Sequence, residues 1–355
     1  MTSRSRPGRP GRPWSMAAGA VALAVAVVGL SPAAAPPAHA AQTITDIAYA
    51  PAQPAGTQGN LLDLYLPDGD GPAPLVIWTS GSAWLADNGK AGARSIAPEL
   101  NARGYAVAGV SVRSSSQVQF PGQVHDIKAA IRWLRANADR YDLDPDRFAV
   151  MGDSSGGWVA SMATLTGGVQ ALEGDLGTTG VSSRVQAGVA FYPPTDLLQI
   201  GAQAGPGGMD HDGPTAPGSL LLGCQALSCP DLARQANPVT HVDGDDPPLM
   251  LLHGQADGVV PHGQSVLLYE ALKDRCVDTQ FFSVPGAGHM VGEVMSPARF
   301  GQQTVSTVRG CQETRTTGSP NPSWDTIVGF LDAALGEGTP GPVPTTPPTE
   351  PPAPT

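Results

Sequence analysis

A serine turn bracketed by glycines constrains this chain more than any other stretch. Residues 148–151 are all apolar, as in a buried strand, and the alanine-rich residues after Ser155 have helical character. Between them, residues 152–156 read GDSSG. Glycines are needed where a strand turns sharply into a helix, because the two backbones come too close for side chains. The pattern predicts that Ser154 is an exposed nucleophile at a helix start.

Two later loops offer the partners that a serine nucleophile needs. A serine hydroxyl is activated by a histidine that takes its proton and by a carboxylate that orients this histidine. Residues 249–253 and 280–284 are predicted strands, and Asp257 and His289 lie in the loops after them. The order serine, acid, histidine is that of an α/β-hydrolase triad. We therefore predict Ser154, Asp257 and His289 as nucleophile, acid and base.

Other residues of the same types are alternatives for these roles. Ser154 could be an incidental turn serine, and Asp257 could only cap its turn. Competing acids are Asp243, Asp245 and Asp246, and competing histidines are His125, His211, His241, His253 and His262. His253 ends a predicted strand and is expected to be structural. A binding protein without activity is a further alternative, although such a protein is expected to lack one member of the triad.

Strand and helix patterns alternate along the chain and predict the fold. Residues 44–49 and 61–66 are predicted to pair antiparallel around a turn rich in proline and glycine. Further predicted strands cover residues 75–78, 105–112, 148–151, 185–192, 249–253 and finally 280–284, and predicted helices cover 90–101, 121–137, 155 onward, 265–273 and 324–335. This alternation predicts a mostly parallel, doubly wound α/β sheet with an antiparallel pair at its N-terminal end.

Two segments lack this regularity, residues 197–230 and residues 290–323. Long irregular segments in a compact domain are usually functional or disordered. Both follow strands whose carboxyl ends should form the active-site rim, so we predict that both shape the substrate cleft.

The two ends of the chain have compositions of their own. Residues 1–40 combine arginines without acids, an apolar run at 16–30 and a small-x-small site at 38–40, which predicts a secretory signal peptide rather than a membrane anchor. Residues 41–335 are the predicted catalytic domain. Residues 336–355 are rich in proline and threonine and are predicted to be an extended linker or tail. A carbohydrate-binding module after this linker and a plain solvated stalk are both open.

Charge and cysteine usage exclude several partners. The net charge is −11, the predicted signal peptide carries only positive charges, and no Lys/Arg cluster is visible, so nucleic-acid binding is disfavoured. Four cysteines allow three pairings in the oxidising secreted environment. We favour Cys224 with Cys229 and Cys276 with Cys311. A zinc site is the alternative, but the paired metal spacing is absent. No metal or organic cofactor is predicted.

The chain resembles α/β-hydrolases of the hormone-sensitive-lipase-like group, and above all bacterial bifunctional feruloyl and acetyl xylan esterases. The resemblance covers residues 61–335. It rests on GDSSGG at Gly152, the run from 120 to 152 before it, FYPPTDL at Phe191, HGQADGVVP at His253 and GAGH at Gly286. It implies a secreted serine esterase acting on acetyl or feruloyl esters of plant polysaccharide. A general short-chain carboxylesterase or a polyester-degrading hydrolase would share these motifs, whereas a prolyl-oligopeptidase-type peptidase would need a large accessory domain.

One motif departs from that pattern. Such families usually carry His-Gly-Gly after the third strand, where this chain reads SGSAW at residues 80–84. The backbone N–H groups of Gly81 and Ser82, together with that of Ser155, are the predicted oxyanion hole. The Cβ of Ser82 restricts the backbone in a way that glycine does not.

Several residues beside these motifs have predicted roles. Trp84 and Trp158 adjoin the oxyanion and nucleophile segments and are predicted to contact a substrate ring, with ordinary core packing as the alternative. Arg113 and Asp126 are predicted to form a structural ion pair. Asp153, beside the nucleophile, is predicted to be structural.

Overall fold

The computed structural model describes residues 41–69 and 71–336. The predicted signal peptide and all but the first residue of the predicted linker lie outside the described residues. Within the described part, no helix combines the length and the apolar character that a membrane crossing requires.

A ten-stranded sheet runs through the described chain. Its strands are β1 (Gln42–Ala48), β2 (Leu61–Leu66), β3 (Ala73–Thr79), β4 (Ala106–Val110), β5 (Leu143–Asp153), β6 (Ala187–Phe191), β7 (Leu249–Gly254), β8 (Thr279–Val284), β9 (Thr304–Arg309) and β10 (Gln312–Thr317). They lie in the order β1-β2-β4-β3-β5-β6-β7-β8-β9-β10. Neighbours from β4 across to β8 are parallel, whereas pairs nearer either edge are antiparallel. This confirms the predicted mostly parallel sheet with an antiparallel N-terminal pair.

Helices cover both faces of this sheet. They are α1 (Ala93–Asn101), α2 (Gly122–Ala136), α3 (Ser155–Leu165), α4 (Ile200–Gln203), α5 (Pro217–Leu222), α6 (Pro230–Gln235), α7 (Gly263–Asp274), α8 (Val291–Val294) and α9 (Trp324–Leu335). One core contains buried side chains of α2 and α3, and a second contains those of α1 and α9. Strands β4 and β6 are buried at every position, because side chains on both faces of a central strand are covered.

The segment after the candidate histidine is more regular than the sequence suggested. Within residues 290–323, β9 pairs antiparallel with β8, and β10 pairs antiparallel with β9. The prediction that residues 280–284 form the last strand is therefore wrong. Strand β10 reads QETRTT and is exposed throughout, so it carries no apolar pattern that could have revealed it.

Local pairs of side chains match several predictions. The disulfides are Cys224–Cys229 and Cys276–Cys311, which confirms the favoured pairing. The second disulfide ties the β9–β10 turn to the end of α7. Arg113 and Asp126 form the predicted ion pair, with Nη2 and Oδ1 2.6 Å apart.

Candidate active site

The nucleophile turn joins β5 to α3 at the carboxyl edge of the sheet. Ser154 has φ 54° and ψ −126°, a strained conformation for a residue with a side chain. A Cβ at Gly152 would overlap the carbonyl of Gly156, and a Cβ at Gly156 would overlap that of Thr79. Both positions therefore require glycine, because the backbones of the strand and the helix approach too closely for a side chain, as the sequence predicted.

The structure brings the three predicted triad side chains into one hydrogen-bonded chain. The Ser154 Oγ lies 2.9 Å from His289 Nε2. On the other side of the ring, His289 Nδ1 lies 2.7 Å from Asp257 Oδ2. Asp257 and His289 come from the loops after β7 and β8, which are adjacent parallel strands, so both side chains reach the same edge of the sheet. This arrangement can move a proton from the serine to the imidazole.

Asp257 is held as a carboxylate within the protein. Its side chain is fully buried, and its Oδ1 accepts the N–H groups of Val259 and Val260, each at 2.9 Å. Burial alone would raise the pKa of Asp257, but hydrogen bonds from His253 and His289 outweigh burial and hold the pKa below its ordinary value. An ionised acid is suited to orient the histidine and to stabilise its charged form.

His253 supports the acid loop, as the sequence led us to expect. It is buried, its Nε2 lies 3.0 Å from Val260 O and 3.3 Å from Asp257 Oδ2, and its Nδ1 lies 2.8 Å from Ser265 Oγ. Two of the competing acids bond within their own turn: Asp246 accepts the N–H of Asp243, and Asp243 accepts the N–H of Asp245.

Tyr192 lies in the FYPPTDL motif, but the sequence predicted no role of its own for it at the site. Its ring centroid lies 4.3 Å from that of His289, and its backbone has φ 38° at the end of β6. The Tyr192 N–H donates to Leu252 O at 2.8 Å, which fixes this strained position. A tyrosine after a strand gives no signal in the sequence that it will pack on a histidine far along the chain.

The loop after β3 uses its N–H groups differently from the prediction. Gly81 N–H donates to Asp153 Oδ1 at 3.0 Å, and Ser82 N–H donates to Ser155 Oγ at 2.9 Å. Both predicted loop donors are thus engaged within the protein. Ala83 N–H makes no hydrogen bond to another described residue.

The Ser155 N–H, like that of Ala83, has no acceptor among the described residues. It begins α3, so the helix offers it no acceptor, and no other described residue accepts it. Ala83 and Ser155 line one cavity together with Ser154. The sequence missed Ala83, because the φ of 55° at this alanine cannot be inferred from the residue type.

The cavity beside Ser154 is small and mainly apolar, with a volume of about 30 Å³. Much of its wall comes from residues 197–230, through Leu197, Ile200, Met209, His211, Pro217 and Gly218. The segment therefore lies beside the nucleophile, where the sequence predicted it. Residues 290–323 contribute nothing to this wall, and part of that segment, β9 and β10, extends the sheet instead.

The two tryptophans near the site have different surroundings. Trp84 lines the cavity and is 5% exposed. Trp158 is 0% exposed, donates Nε1–H to Ala236 O at 2.7 Å, and packs edge-on against Trp84 at 5.5 Å between ring centroids. A fully buried ring cannot contact a substrate, so the prediction for Trp158 is corrected to core packing.

Asp153 joins the nucleophile turn to the oxyanion loop, in keeping with a structural role. Burial raises its pKa, against the hydrogen bond from Gly81 N–H and the nearby His289. Within residues 41–69 and 71–336, no group of three or more His, Cys, Asp or Glu side chains is arranged to hold a metal ion.

Comparison with known proteins shows that the chain is similar to esterases. The family model described as BD-FAE matches residues 62–272. The chain is 29% identical over 255 residues to Esterase LipQ of Mycobacterium tuberculosis, covering 71% of this chain and 58% of LipQ. It is 31% identical over 216 residues to the probable carboxylic ester hydrolase LipM of the same organism, covering 59% of this chain and 47% of LipM. The chain thus spans about half the length of the curated relatives it matches.

A solved structure gives fuller coverage. A truncated carbohydrate esterase from gut microbiota is 29% identical, with a TM-score of 0.67, and the match covers 83% of this chain and 96% of that one.

Proposed function

The chain belongs to the BD-FAE family, and on that premise we propose that it is a secreted serine esterase that cleaves acetyl or feruloyl esters of plant polysaccharide through an acyl-enzyme. The observation that carries this proposal is the hydrogen-bonded chain from Ser154 through His289 to the buried Asp257. Names of related proteins support ester hydrolysis, since LipQ is an esterase and the structural match is a carbohydrate esterase.

The triad geometry supports a two-step acyl transfer. The Ser154 Oγ attacks the ester carbonyl while His289 Nε2 takes its proton, and Asp257 stabilises the resulting imidazolium. His289 then returns the proton to the leaving alcohol, and the acyl group stays on Ser154. In the second step His289 takes a proton from water while the water oxygen attacks the acyl carbon. The bond from this carbon to Ser154 Oγ then breaks, His289 returns the proton to Ser154 Oγ, and the acid is released.

The oxyanion of each tetrahedral intermediate needs N–H donors that are not already engaged. Ala83 and Ser155 meet this requirement and line the same cavity as Ser154. We therefore assign the oxyanion hole to Ala83 and Ser155, in place of Gly81 and Ser82. Donors fixed before the reaction stabilise the developing charge without reorganisation.

The wall of the cavity supports an ester whose acyl group is apolar. Leu197, Ile200 and Pro217 lie in this wall beside Ser154. Within the proposed function, the comparison of acetyl and feruloyl esters described below decides which acyl group is preferred. The disulfides Cys224–Cys229 and Cys276–Cys311 support an extracellular site of action.

The proposal is tested by comparing the parent protein with its Ser154→Ala variant. Both are assayed on p-nitrophenyl acetate and butyrate, methyl ferulate and acetylated xylan. We expect the parent to release acid and the variant to lose at least about 10⁴-fold in kcat, since the nucleophile is gone. The matched control is Ser161→Ala, because Ser161 is a buried serine of the same helix whose hydroxyl donates to Gly157 O.

Each outcome separates one part of the proposal from the rest. Equal activity of parent and Ser154→Ala variant rules out the mechanism, and a parent inert on every ester rules out the function. Activity on nitrophenyl esters alone rejects the polysaccharide substrate but leaves a general carboxylesterase.

A further inference from the structure

The residue after the nucleophile carries a hydroxyl whose contacts the mechanism above does not use. We propose that the Ser155 hydroxyl is a positioning group that holds the oxyanion loop in its active conformation. This inference rests on the proposed function, because its effect is felt through the oxyanion of the ester reaction. It concerns the side chain of Ser155, whereas the oxyanion hole uses only its backbone N–H.

The Ser155 Oγ accepts two hydrogen bonds from one short loop. Ser82 N–H donates to it at 2.9 Å and Trp84 N–H at 3.3 Å. Ser155 is 4% exposed, so water has little access to replace this acceptor. The two bonded N–H groups flank Ala83, whose own N–H is left without an acceptor among the described residues. One hydroxyl thus fixes the residues on both sides of the assigned oxyanion donor.

The loop needs such a restraint because its backbone is strained. Ala83 has φ 55° and Trp84 has φ 59°, values that residues with a Cβ rarely adopt. Strained residues persist only where the surrounding structure over-determines them. The hydrogen bonds to Ser155 Oγ supply this restraint at the position where the strain occurs.

The other neighbour of the nucleophile acts on the same loop. Asp153 Oδ1 accepts Gly81 N–H at 3.0 Å, so the residues before and after Ser154 both hold the loop by its backbone N–H groups. The loop is therefore bonded directly to the nucleophile turn, on both sides of Ser154.

The experiment compares the parent with a Ser155→Ala variant. Alanine keeps the backbone N–H and suits a helix start, so only the hydroxyl acceptor is lost. We expect kcat on p-nitrophenyl acetate to fall by about 10- to 100-fold with little change in KM, because the loss of one oxyanion donor costs about 10²- to 10³-fold and the loop here is misplaced rather than deleted. Affinity for ethylboronic acid, which forms a tetrahedral adduct on Ser154, should fall in parallel.

Ser161→Ala is the matched control. Ser161 is buried in the same helix, and its hydroxyl donates to Gly157 O at 2.8 Å rather than to the loop. We expect its kcat and boronate affinity to stay at the parent values. A Ser155→Ala variant that is folded by circular dichroism and keeps parental kcat and boronate affinity would overturn the inference. A parent without activity would instead reject the proposed function.

A second substitution guards against a purely structural explanation. Glycine adopts positive φ without strain, so Ala83→Gly introduced into the Ser155→Ala variant should recover about threefold or more of the lost kcat, as coupled neighbours do. Ala83→Gly alone completes the cycle. If the two substitutions act additively, the loss at Ser155 does not come from loop strain and the inference fails.

Discussion

Two segments of similar appearance in the sequence have opposite positions in the molecule. Residues 197–230, the cavity segment, contain short helices and line the cavity beside Ser154. Residues 290–323, the edge segment, form the β9–β10 hairpin at one edge of the sheet. The cavity segment follows a central strand, and its buried residues Leu197 and Ile200 line the cavity beside the nucleophile. The edge segment begins beside His289 but pairs with the last parallel strand. The comparison teaches that irregular composition does not distinguish a binding loop from a sheet edge.

Each of the two segments contains at least one cysteine of a disulfide, so removing the disulfides one at a time tests the difference between the segments. These substitutions have the largest expected effect on stability. Cys276–Cys311 closes 35 residues and Cys224–Cys229 only 5, so loop-closure entropy gives about 4 and about 2 kcal/mol respectively. We expect Cys276→Ser with Cys311→Ser to lower the free energy of unfolding by the larger amount while leaving kcat unchanged. Cys224→Ser with Cys229→Ser should cost less stability but lower kcat/KM, because Cys224 follows α5, which lines the cavity.

Urea unfolding followed by tryptophan fluorescence and acetate hydrolysis measure the two effects on the same samples. If the Cys276/Cys311 variant loses activity while it is folded, or if the Cys224/Cys229 variant keeps full activity, the division of roles between the segments is wrong.

A smaller change tests the cavity wall itself. Ile200 is 2% exposed and lines the cavity, so Ile200→Val should cost about 1 kcal/mol of stability. The added room should raise the ratio of butyrate to acetate hydrolysis by about tenfold, the scale of one methylene in an apolar pocket. The matched substitution is Val305→Ala in β9, where a valine 1% exposed lies in the edge segment. It should lower stability without changing the ratio of butyrate to acetate hydrolysis. If this ratio changes equally in both variants, the cavity segment does not select the acyl group.

The smallest effect concerns pH. Burial lowers the pKa of His211, against the contact of its Nε2 with Val259 O in the acid loop. As pH falls through about 6.5, His211 takes up a proton in the unfolded chain before it does so in the folded chain. His211 therefore lowers the free energy of unfolding as the solution becomes more acidic. His211→Gln should show a smaller loss of melting temperature between pH 7.5 and pH 5 than the parent. The edge segment has no histidine, so it contributes no such pH dependence. If the melting temperature of the His211→Gln variant depends on pH as that of the parent does, His211 does not anchor the cavity segment.

Much of the fold could be predicted because it depends on local patterns. Buried parallel strands such as β4 and β6 are continuous apolar runs, and α2 shows helical spacing. The same physics explains the failure at β10: an exposed edge strand needs no apolar residues, so its hydrogen bonds to β9 give no compositional signal.

The candidate site was predictable to a similar extent. Ser154, Asp257 and His289 follow strands in the expected order, and the structure places them in contact. The core packing of Trp158 and the role proposed for Ala83 were not predictable. An aromatic residue beside a motif can face the core or the cavity, and the direction of one N–H depends on φ values that the residue type does not set.

The sequence by itself determined the strand and helix alternation, the glycines of the nucleophile turn and the order of the triad. Each of these depends on backbone sterics or burial that neighbouring residues share. Only the tertiary structure decided which N–H groups of the loop after β3 are engaged, which tryptophan is buried and which irregular segment lines the cavity beside Ser154. Those outcomes depend on contacts of about 3 Å between groups far apart in the chain, such as Ser82 and Ser155, and local patterns contain no record of them.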